Sequence, residues 1–100
     1  MKAYRLSHDA RRDLDDIWDY SRDHRGARRA ASYLHDLRAT IGLIAERPGV
    51  GTVLEAPDHA FRKRPVGSHF IFYRLEAGVM EIVRILHQNM DATRRLPGLD

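Results

Sequence analysis

Apolar residues recur at helical spacing in the first half of the chain and at strand spacing in the second half. Over residues 8–24 the apolar side chains follow one another at steps of three and four, which predicts an amphipathic helix. A second stripe with this spacing covers residues 30–44, and Pro48 ends it. Gly26 marks the short break between the two stripes, so we expect an antiparallel helical hairpin. Ser7 precedes the first helix as a suitable N-cap.

Strand-like segments flank this hairpin. Residues 2–6 predict a short first strand, and residues 59–66, 68–75 and 79–87 predict three strands of a C-terminal sheet. Gly67 and the turn around Gly78 separate the last three. The final two strands are apolar on both faces, which is typical of strands that are central or covered on both sides.

The connecting and terminal segments complete the predicted fold. A loop-rich link follows Pro48, and residues 91–96 predict a short last helix before Pro97. The pattern as a whole predicts an α+β fold: an N-terminal strand, an antiparallel helical hairpin, then a C-terminal antiparallel sheet of about three strands with a short terminal helix. A chain of 100 residues is long enough for one domain, which we expect to span residues 1–100.

Composition limits the cellular compartments in which the protein is expected. The sequence contains no cysteine, which excludes disulfides and thiolate metal sites and favours a reducing, cytoplasmic location. It shows no apolar run that would serve as a signal peptide, and none approaching the ~20 residues of a membrane-spanning helix. We therefore expect a cytoplasmic protein with no membrane association.

Charge is unevenly distributed along the chain. The net charge is +3, but residues 8–24 hold six acidic and three basic residues, whereas residues 59–75 hold four basic residues and no acidic one. The acidic residues of the first helix, Asp13 among them, lie on the side opposite its apolar stripe. They predict a solvated face or, as an alternative, a contact with a basic partner, because acid–base catalysis by carboxylates needs burial that an exposed helix lacks.

The sequence lacks the common motifs for metal binding, nucleotide binding and nucleophilic catalysis. No two of the six histidines have the three- or four-residue spacing that places two imidazoles on one helical face, so we expect no metal site. The glycine pair around Val50 lacks the lysine of a phosphate loop and does not follow a strand. There is also no glycine-flanked serine motif. No cofactor is expected.

Two arginines interrupt the apolar strands. Arg74 and Arg84 are costly to bury unless each is paired or reaches water. A simple hairpin at Gly78 would bring the two close together, as part of an anion-binding strip; the alternative is an internal pair, for example with Glu81.

His87 ends the last strand. Near arginines the neutral form of its imidazole is favoured, which suits a general base; an ordinary strand-end histidine is the preferred interpretation.

Several motifs between residues 4 and 96 share the pattern of a known family. In chain order they are Leu6-Ser7, Ala10, Asp13-Leu14, Ile17-Trp18, Ala31, Tyr33-Leu34, Leu37, Ile41, Pro48, Gly67-Ser68-His69, Phe72-Tyr73-Arg74, Arg84-Ile85-Leu86-His87-Gln88 and Met90-Asp91. Together they resemble the RelE/ParE superfamily of type II toxin–antitoxin toxins, and its ParE branch in particular. The most specific part is the segment from Val83 to Asp91 combined with Phe72-Tyr73-Arg74.

The resemblance implies a helical hairpin packed on an antiparallel sheet. It also implies an antitoxin encoded alongside the toxin, whose extended or helical C-terminal arm binds across it in a hetero-oligomer. Toxins of the ParE type poison DNA gyrase, whereas those of the RelE type cleave mRNA on the ribosome. A third possibility, from another class, is a binding module that has lost toxicity.

The residues near the C-terminus discriminate between the two toxic activities. A RelE-like nuclease would use Arg62, Arg64, Arg84 and His87 as its catalytic set. However, no tyrosine follows His87, and the segment after it matches the ParE pattern. We therefore expect a non-enzymatic gyrase inhibitor with no catalytic residues and a ParD-like antitoxin as its partner.

The expected antitoxin contacts comprise apolar anchors and basic residues. Trp18, Tyr33 and Leu37 are candidate anchors, because aromatic residues dominate interface hot spots, although Leu37 also fits the protein's own core. The basic residues that would pair with antitoxin carboxylates are Arg62, Arg64, Arg74 and Arg84.

Overall fold

The computed structural model describes residues 3–54 and 61–97. In these ranges the chain forms two helices, α1 (His8–Arg25) and α2 (Ala27–Glu46), and five strands, β1 (Tyr4–Leu6), β2 (Thr52–Val53), β3 (Arg62–Val66), β4 (His69–Glu76) and β5 (Val79–His87). Single turns of 3₁₀ helix cover Pro48–Val50 and Ala92–Arg94. Neither α1 nor α2 is apolar enough over its length to cross a membrane, and the described residues hold no other helix of that size.

The α+β class and the helical hairpin are confirmed, but the sheet differs from the expected one in two respects. The described strands form one five-stranded sheet in the order β1-β5-β4-β3-β2, not three strands with a separate N-terminal strand. The sheet is also mixed, because β1 pairs in parallel with β5 while the other neighbours are antiparallel. The N-terminal strand therefore lies beside the C-terminal one.

Element ends deviate from the sequence-based ones in a few places. The strand expected over residues 59–66 begins at Arg62, and residues 59 and 60 lie outside the described part, as does Lys2 of the first expected strand. The link after Pro48 contains the two-residue strand β2, which is too short to give a period-two pattern. The last helix is reduced to the 3₁₀ turn at Ala92–Arg94.

Ser7 fixes where α1 begins. Its hydroxyl oxygen accepts a hydrogen bond from the Ala10 N–H at 2.9 Å, as expected of an N-cap, and donates one to the Val83 carbonyl at 2.7 Å. The same side chain therefore caps the helix and attaches it to β5. At the other end Gly26, with a φ of 87°, gives the sharp reversal into α2 that other residues adopt only with strain.

The sheet is covered on both faces. Between the helical hairpin and the sheet lies the main core, formed by Ala10, Ile17, Leu37, Ile41, Ile44, Val66, Ile71, Tyr73, Met80, Ile82 and Ile85. The opposite face carries a smaller core of Phe61, Phe72, Val83, Leu86 and Leu96. Burial on both sides explains why β4 and β5 are apolar on both faces, as the sequence predicted.

Asp13 joins α1 to the far end of the chain. Its carboxylate accepts hydrogen bonds from Arg84 Nε at 2.8 Å and Nη2 at 2.9 Å, and from the Ile85 backbone N–H at 2.9 Å. The strand β1 pairs with β5 only as far as Ile82, so this edge of β5 has no strand neighbour at Ile85. The carboxylate of Asp13 thus takes the place of a missing strand and neutralises Arg84.

Tyr73 secures the segment after α2 in a similar way. Its ring is buried, its hydroxyl donates to the Pro48 carbonyl at 2.6 Å, and it accepts from the Gly51 N–H at 2.8 Å. A Cβ atom at Gly51 would collide with the Tyr73 ring and hydroxyl. Burial is the main cause that raises the pKa of Tyr73, which keeps the hydroxyl protonated as a donor.

We expect Asp13→Ala to lower the free energy of unfolding by about 2–4 kcal/mol. The substitution leaves the largely buried guanidinium of Arg84 and the backbone N–H of Ile85 without their hydrogen-bond acceptor. The side chains of Asp13 and Arg84 are only 11% and 19% exposed, so solvent screens the pair weakly. Urea denaturation measures the change. The matched control is Asp15→Ala on the exposed side of α1, which should change stability by less than about 0.5 kcal/mol. Similar losses in both variants would contradict this assignment.

Gly51→Ala should destabilise the protein by about 1–3 kcal/mol, because the added methyl group overpacks the site against Tyr73. Gly49→Ala is the control two residues away, since a Cβ atom at Gly49 meets open space. Thermal melts of both variants test the difference. A Gly51→Ala protein as stable as the control would show that the Tyr73 contact does not constrain this segment.

Candidate functional site

A cleft of about 760 Å³ opens between α1, the start of α2 and the ends of β4 and β5. Its lining is formed by Asp16, Ile17, Tyr20, Ser21, Arg25, Arg29, Tyr33, Gly67, Ser68, His69, His87 and Met90. The helices form one wall and the β3–β4 turn with the end of β5 forms the other. Most of the lining side chains are polar or aromatic, so the cleft offers groups that can bind a ligand.

The hydroxyl of Tyr33 holds the two walls together. It donates to the Val66 carbonyl at 3.1 Å, accepts from the Ser68 N–H at 3.2 Å and lies 2.6 Å from His69 Nδ1. The tight contact with Tyr33 engages Nδ1 of His69, and Nε2 of the ring makes no hydrogen bond with another described residue. Gly67, with a φ of 54°, lets the turn approach the Tyr33 ring closely.

His87 lies directly opposite His69 in the β4–β5 ladder, and the two rings meet edge to face with centroids 5.4 Å apart. The Asn89 N–H donates to His87 Nδ1 at 3.2 Å, so a neutral His87 carries its hydrogen on Nε2. The Nδ1 atoms of both rings are thus occupied, which leaves the two Nε2 atoms for a ligand. Burial, followed by the neighbouring His87, lowers the pKa of His69, while Asp13 opposes this.

The four residues of the nuclease set are held by different partners. Arg62 donates to the Gly51 carbonyl at 2.9 Å and Arg64 to the Val50 carbonyl at 3.4 Å, so both brace the segment after α2. Arg84 is bound by Asp13, whose hydrogen bonds raise the pKa of the guanidinium. Only His87 of the four lines the cleft.

A simple hairpin at Gly78 was expected to bring Arg74 and Arg84 near each other, but the two are not cross-strand partners. Arg74 lies opposite Glu81, and Arg84 lies opposite Phe72 beyond a bulge. Arg74 instead follows the alternative of an internal pair, with Glu81 at 3.2 Å and also Glu76 at 3.1 Å. The two guanidinium groups do not form a common anion-binding strip.

For Arg84 the internal partner is Asp13, and this corrects the solvated-face interpretation of that acid. Asp13 is one turn from Asp9 and Asp16 in sequence, but its side chain points toward the sheet edge and is largely buried. Helical spacing alone groups these acids on one side. It does not show that β5 has a free edge within reach of one of them.

The three apolar anchor candidates lie in different surroundings. Leu37 is fully buried in the main core, which confirms its alternative role and leaves it no contact surface in the free protein. Tyr33 is half-buried and occupied by the cleft hydrogen bonds. Trp18 is half-buried in a second groove on the hairpin, lined by Leu14, Asp15, Trp18, Ala31, Leu34, His35 and Arg38.

Sequence reasoning missed His69, Arg25 and Arg29 as members of a site. The cross-strand pairing of His69 with His87 was the available signal, but counting back from the turn at Gly78 pairs His69 with Leu86, because the bulge adds one residue to β5. The two arginines belong to different helices and meet only in the folded hairpin. Among the described residues, no group of three histidines or acids is placed to bind a metal ion.

We expect His69 to titrate below its ordinary value of 6.5, and His87→Asn to raise its pKa back toward that value while burial keeps it lower. The protein should lose stability as the pH falls below 6.5 through the lowered pKa of His69, because the unfolded chain then binds the proton more readily than the folded one. NMR titration of the imidazole ring protons measures both effects. His35→Asn, on the exposed side of α2, is the control. A His69 that titrates at or above 6.5 would contradict the buried, neutral imidazole.

Comparison with known proteins identifies the family. The family model described as ParE toxin of the type II toxin–antitoxin system parDE matches residues 4–92. Toxin ParE1 of Caulobacter vibrioides is 49% identical over 96 residues, which is 96% of this chain and 99% of that protein. Toxin ParE1 of Mycobacterium tuberculosis is 38% identical over 94 residues, which is 93% of this chain and 96% of that protein.

A solved structure supports the fold. A chain of the chromosomal ParDE toxin–antitoxin system from P. aeruginosa superposes with a TM-score of 0.77, over 87% of this chain and 96% of that one. Its sequence is 21% identical, so this likeness concerns the fold. The family match over residues 4–92 and the two relatives carry the assignment, and the chain belongs to the ParE family of toxins of parDE type II toxin–antitoxin systems.

Proposed function

We propose that this chain acts in the cytoplasm as a single toxin domain that inhibits DNA gyrase and is neutralised by direct binding of a ParD-like antitoxin. The observation that carries the proposal is the ParE family match over residues 4–92. The resemblance of the segment from Val83 to Asp91 to the ParE branch points to gyrase as the target. The absence of cysteine supports a reducing compartment.

The geometry of the basic residues supports inhibition by binding over cleavage of mRNA. A nuclease needs its catalytic groups directed at one scissile phosphate. Here Arg62 and Arg64 bind carbonyl groups near Gly51, and Arg84 is engaged by Asp13. His87 lies apart from them in the cleft. This arrangement would have to be dismantled before the four side chains could act together.

The hairpin groove is the best-supported antitoxin surface. Trp18 lies in this groove with Leu34, and it keeps part of its ring accessible. Arg38 lines the same groove and makes no ion pair with another described residue, so it is available to an antitoxin carboxylate. An amphipathic segment with an apolar face and an acidic flank fits this surface and would form the toxin–antitoxin hetero-oligomer.

The gyrase proposal is tested by a supercoiling assay with the purified chain and purified bacterial gyrase. We expect supercoiling to be inhibited in proportion to toxin concentration, and inhibition to disappear when the antitoxin is added first. In parallel, mRNA is examined for cleavage during translation, with His87→Ala as the nuclease control. Unimpaired gyrase at saturating toxin, together with mRNA cleavage that depends on His87, would replace this proposal with the ribonuclease alternative.

Antitoxin binding is tested separately, with the product of the adjacent reading frame. Trp18→Ala should weaken the complex by about 2 kcal/mol or more if the ring is an interface anchor. Tyr20→Ala is the matched aromatic control on the same helix, since Tyr20 lines the other cleft. An equal loss in both variants would exclude the hairpin groove as the main antitoxin surface. Expression without antitoxin that leaves growth unaffected would indicate the non-toxic binding module.

A further inference from the structure

Arg25 and Arg29 place positive charge at the rim of the cleft without a protein partner. Arg25 ends α1 and Arg29 belongs to the first turn of α2, and both line the cleft. The side chain of neither forms a hydrogen bond or ion pair with another residue in 3–54 and 61–97. Asp16 is the one carboxylate in the described lining. The balance at this rim therefore favours an anion.

The start of α2 adds to this attraction. No side chain caps its N-terminal N–H groups, and its first turn contains no acidic residue. That turn instead holds Arg28 and Arg29, whose charges are unfavourable next to the positive end of the helix dipole. A bound anion would satisfy the free N–H groups and relieve the repulsion.

The number of donor groups around the cleft favours a phosphate over a carboxylate. His69 and His87 each have Nδ1 engaged and Nε2 without a partner among the described residues, so each can turn Nε2 to a ligand oxygen. A phosphate monoester has three strong acceptor oxygens and about −1.5 to −2 charge near neutral pH. An ionised carboxylate has two oxygens and a single charge. Two guanidinium groups and two imidazoles therefore match a phosphate better.

An exposed aromatic ring lies in the same cleft. Tyr20 is 62% exposed and its ring stacks on His24 with centroids 4.0 Å apart, which fixes its orientation. Aromatic rings that face an open site bind nucleobases by stacking, whatever the base. A cleft of about 760 Å³ has room for a nucleoside as well as its phosphate.

We propose that this cleft binds the phosphate group of a nucleotide, with Arg25, Arg29, His69 and His87 around the phosphate and Tyr20 against the base. The site needs neither gyrase nor the antitoxin, and so goes beyond the function proposed above. The same chemistry could be supplied by a free nucleotide or by the 5′-phosphorylated end of a DNA strand.

The proposal is tested by titrating the purified chain with AMP, inorganic phosphate and adenosine, and following the imidazole resonances of all six histidines by NMR. We expect AMP and phosphate to shift His69 and His87, AMP at lower concentration than phosphate, and adenosine to leave these two nearly unchanged. The exposed His35 serves as the internal control. No shift of His69 or His87 at AMP concentrations on the order of 10 mM would overturn the proposal.

Charge-matched variants separate a defined site from general attraction. Replacing Arg25 and Arg29 together with glutamine should weaken AMP binding roughly tenfold to a hundredfold. The control replaces Arg11 and Arg12 with glutamine; both are exposed on α1 and lie outside the cleft lining. An equal loss in the two double variants would reduce the site to non-specific attraction and overturn the proposal. Their melting temperatures should stay close to that of the parent, because all four side chains are exposed and a charge at a helix end changes stability by only about 0.3–1 kcal/mol.

Two further experiments identify which parts of the ligand are recognised and where the ligand comes from. Tyr20→Leu should weaken AMP binding and leave phosphate binding unchanged, and equal effects on both would overturn the assignment of the base to Tyr20. A tetranucleotide with and without a 5′-phosphate distinguishes the sources. Tighter binding of the phosphorylated strand than of AMP assigns the site to DNA ends, and tighter binding of AMP assigns it to free nucleotides; both support a phosphate site.

Discussion

The carboxylate of Asp13 is the contact on which the relative position of helix and sheet depends. It occupies the edge of β5 at the point where β1 has ended, and it accepts from both the backbone of Ile85 and the guanidinium of Arg84. Without it, an edge amide and a charge would be buried unsatisfied together. The contact keeps α1 against β5, and both elements contribute to the lining of the cleft.

The pattern of apolar residues was sufficient to predict the helices and strands, but it did not predict how the strands pair. Helical spacing located α1 to within one residue, and the stripe over residues 30–44 lies inside α2, because each helix has an apolar stripe over the sheet. The two-sided apolar pattern of β4 and β5 correctly indicated their central place. The parallel pairing of β1 with β5 has no local signature, since nothing in residues 4–6 records which strand, more than 70 positions away, will lie beside them.

The site was less predictable than the fold for a related reason. A single bulge between the residues opposite Phe72 and Tyr73 moves His87 into line with His69, and an arithmetic count along the hairpin places a leucine there instead. The ion pair of Arg84 could not be predicted from the strand pattern either, because its partner Asp13 lies on a helix and not on the neighbouring strand. Family resemblance supplied what periodicity could not, namely the role of the whole chain.

The pairing of the first strand with the last has a consequence for how the protein is made. During synthesis β1 and the Ser7 cap emerge from the ribosome before both helices and the three intervening strands, and their partners Ile82 and Val83 follow only after these. Contacts this distant in sequence form slowly, and here they cannot form at all until β5 has been synthesised. A nascent chain therefore lacks any surface that needs the closed sheet until residues 79–87 have left the ribosome.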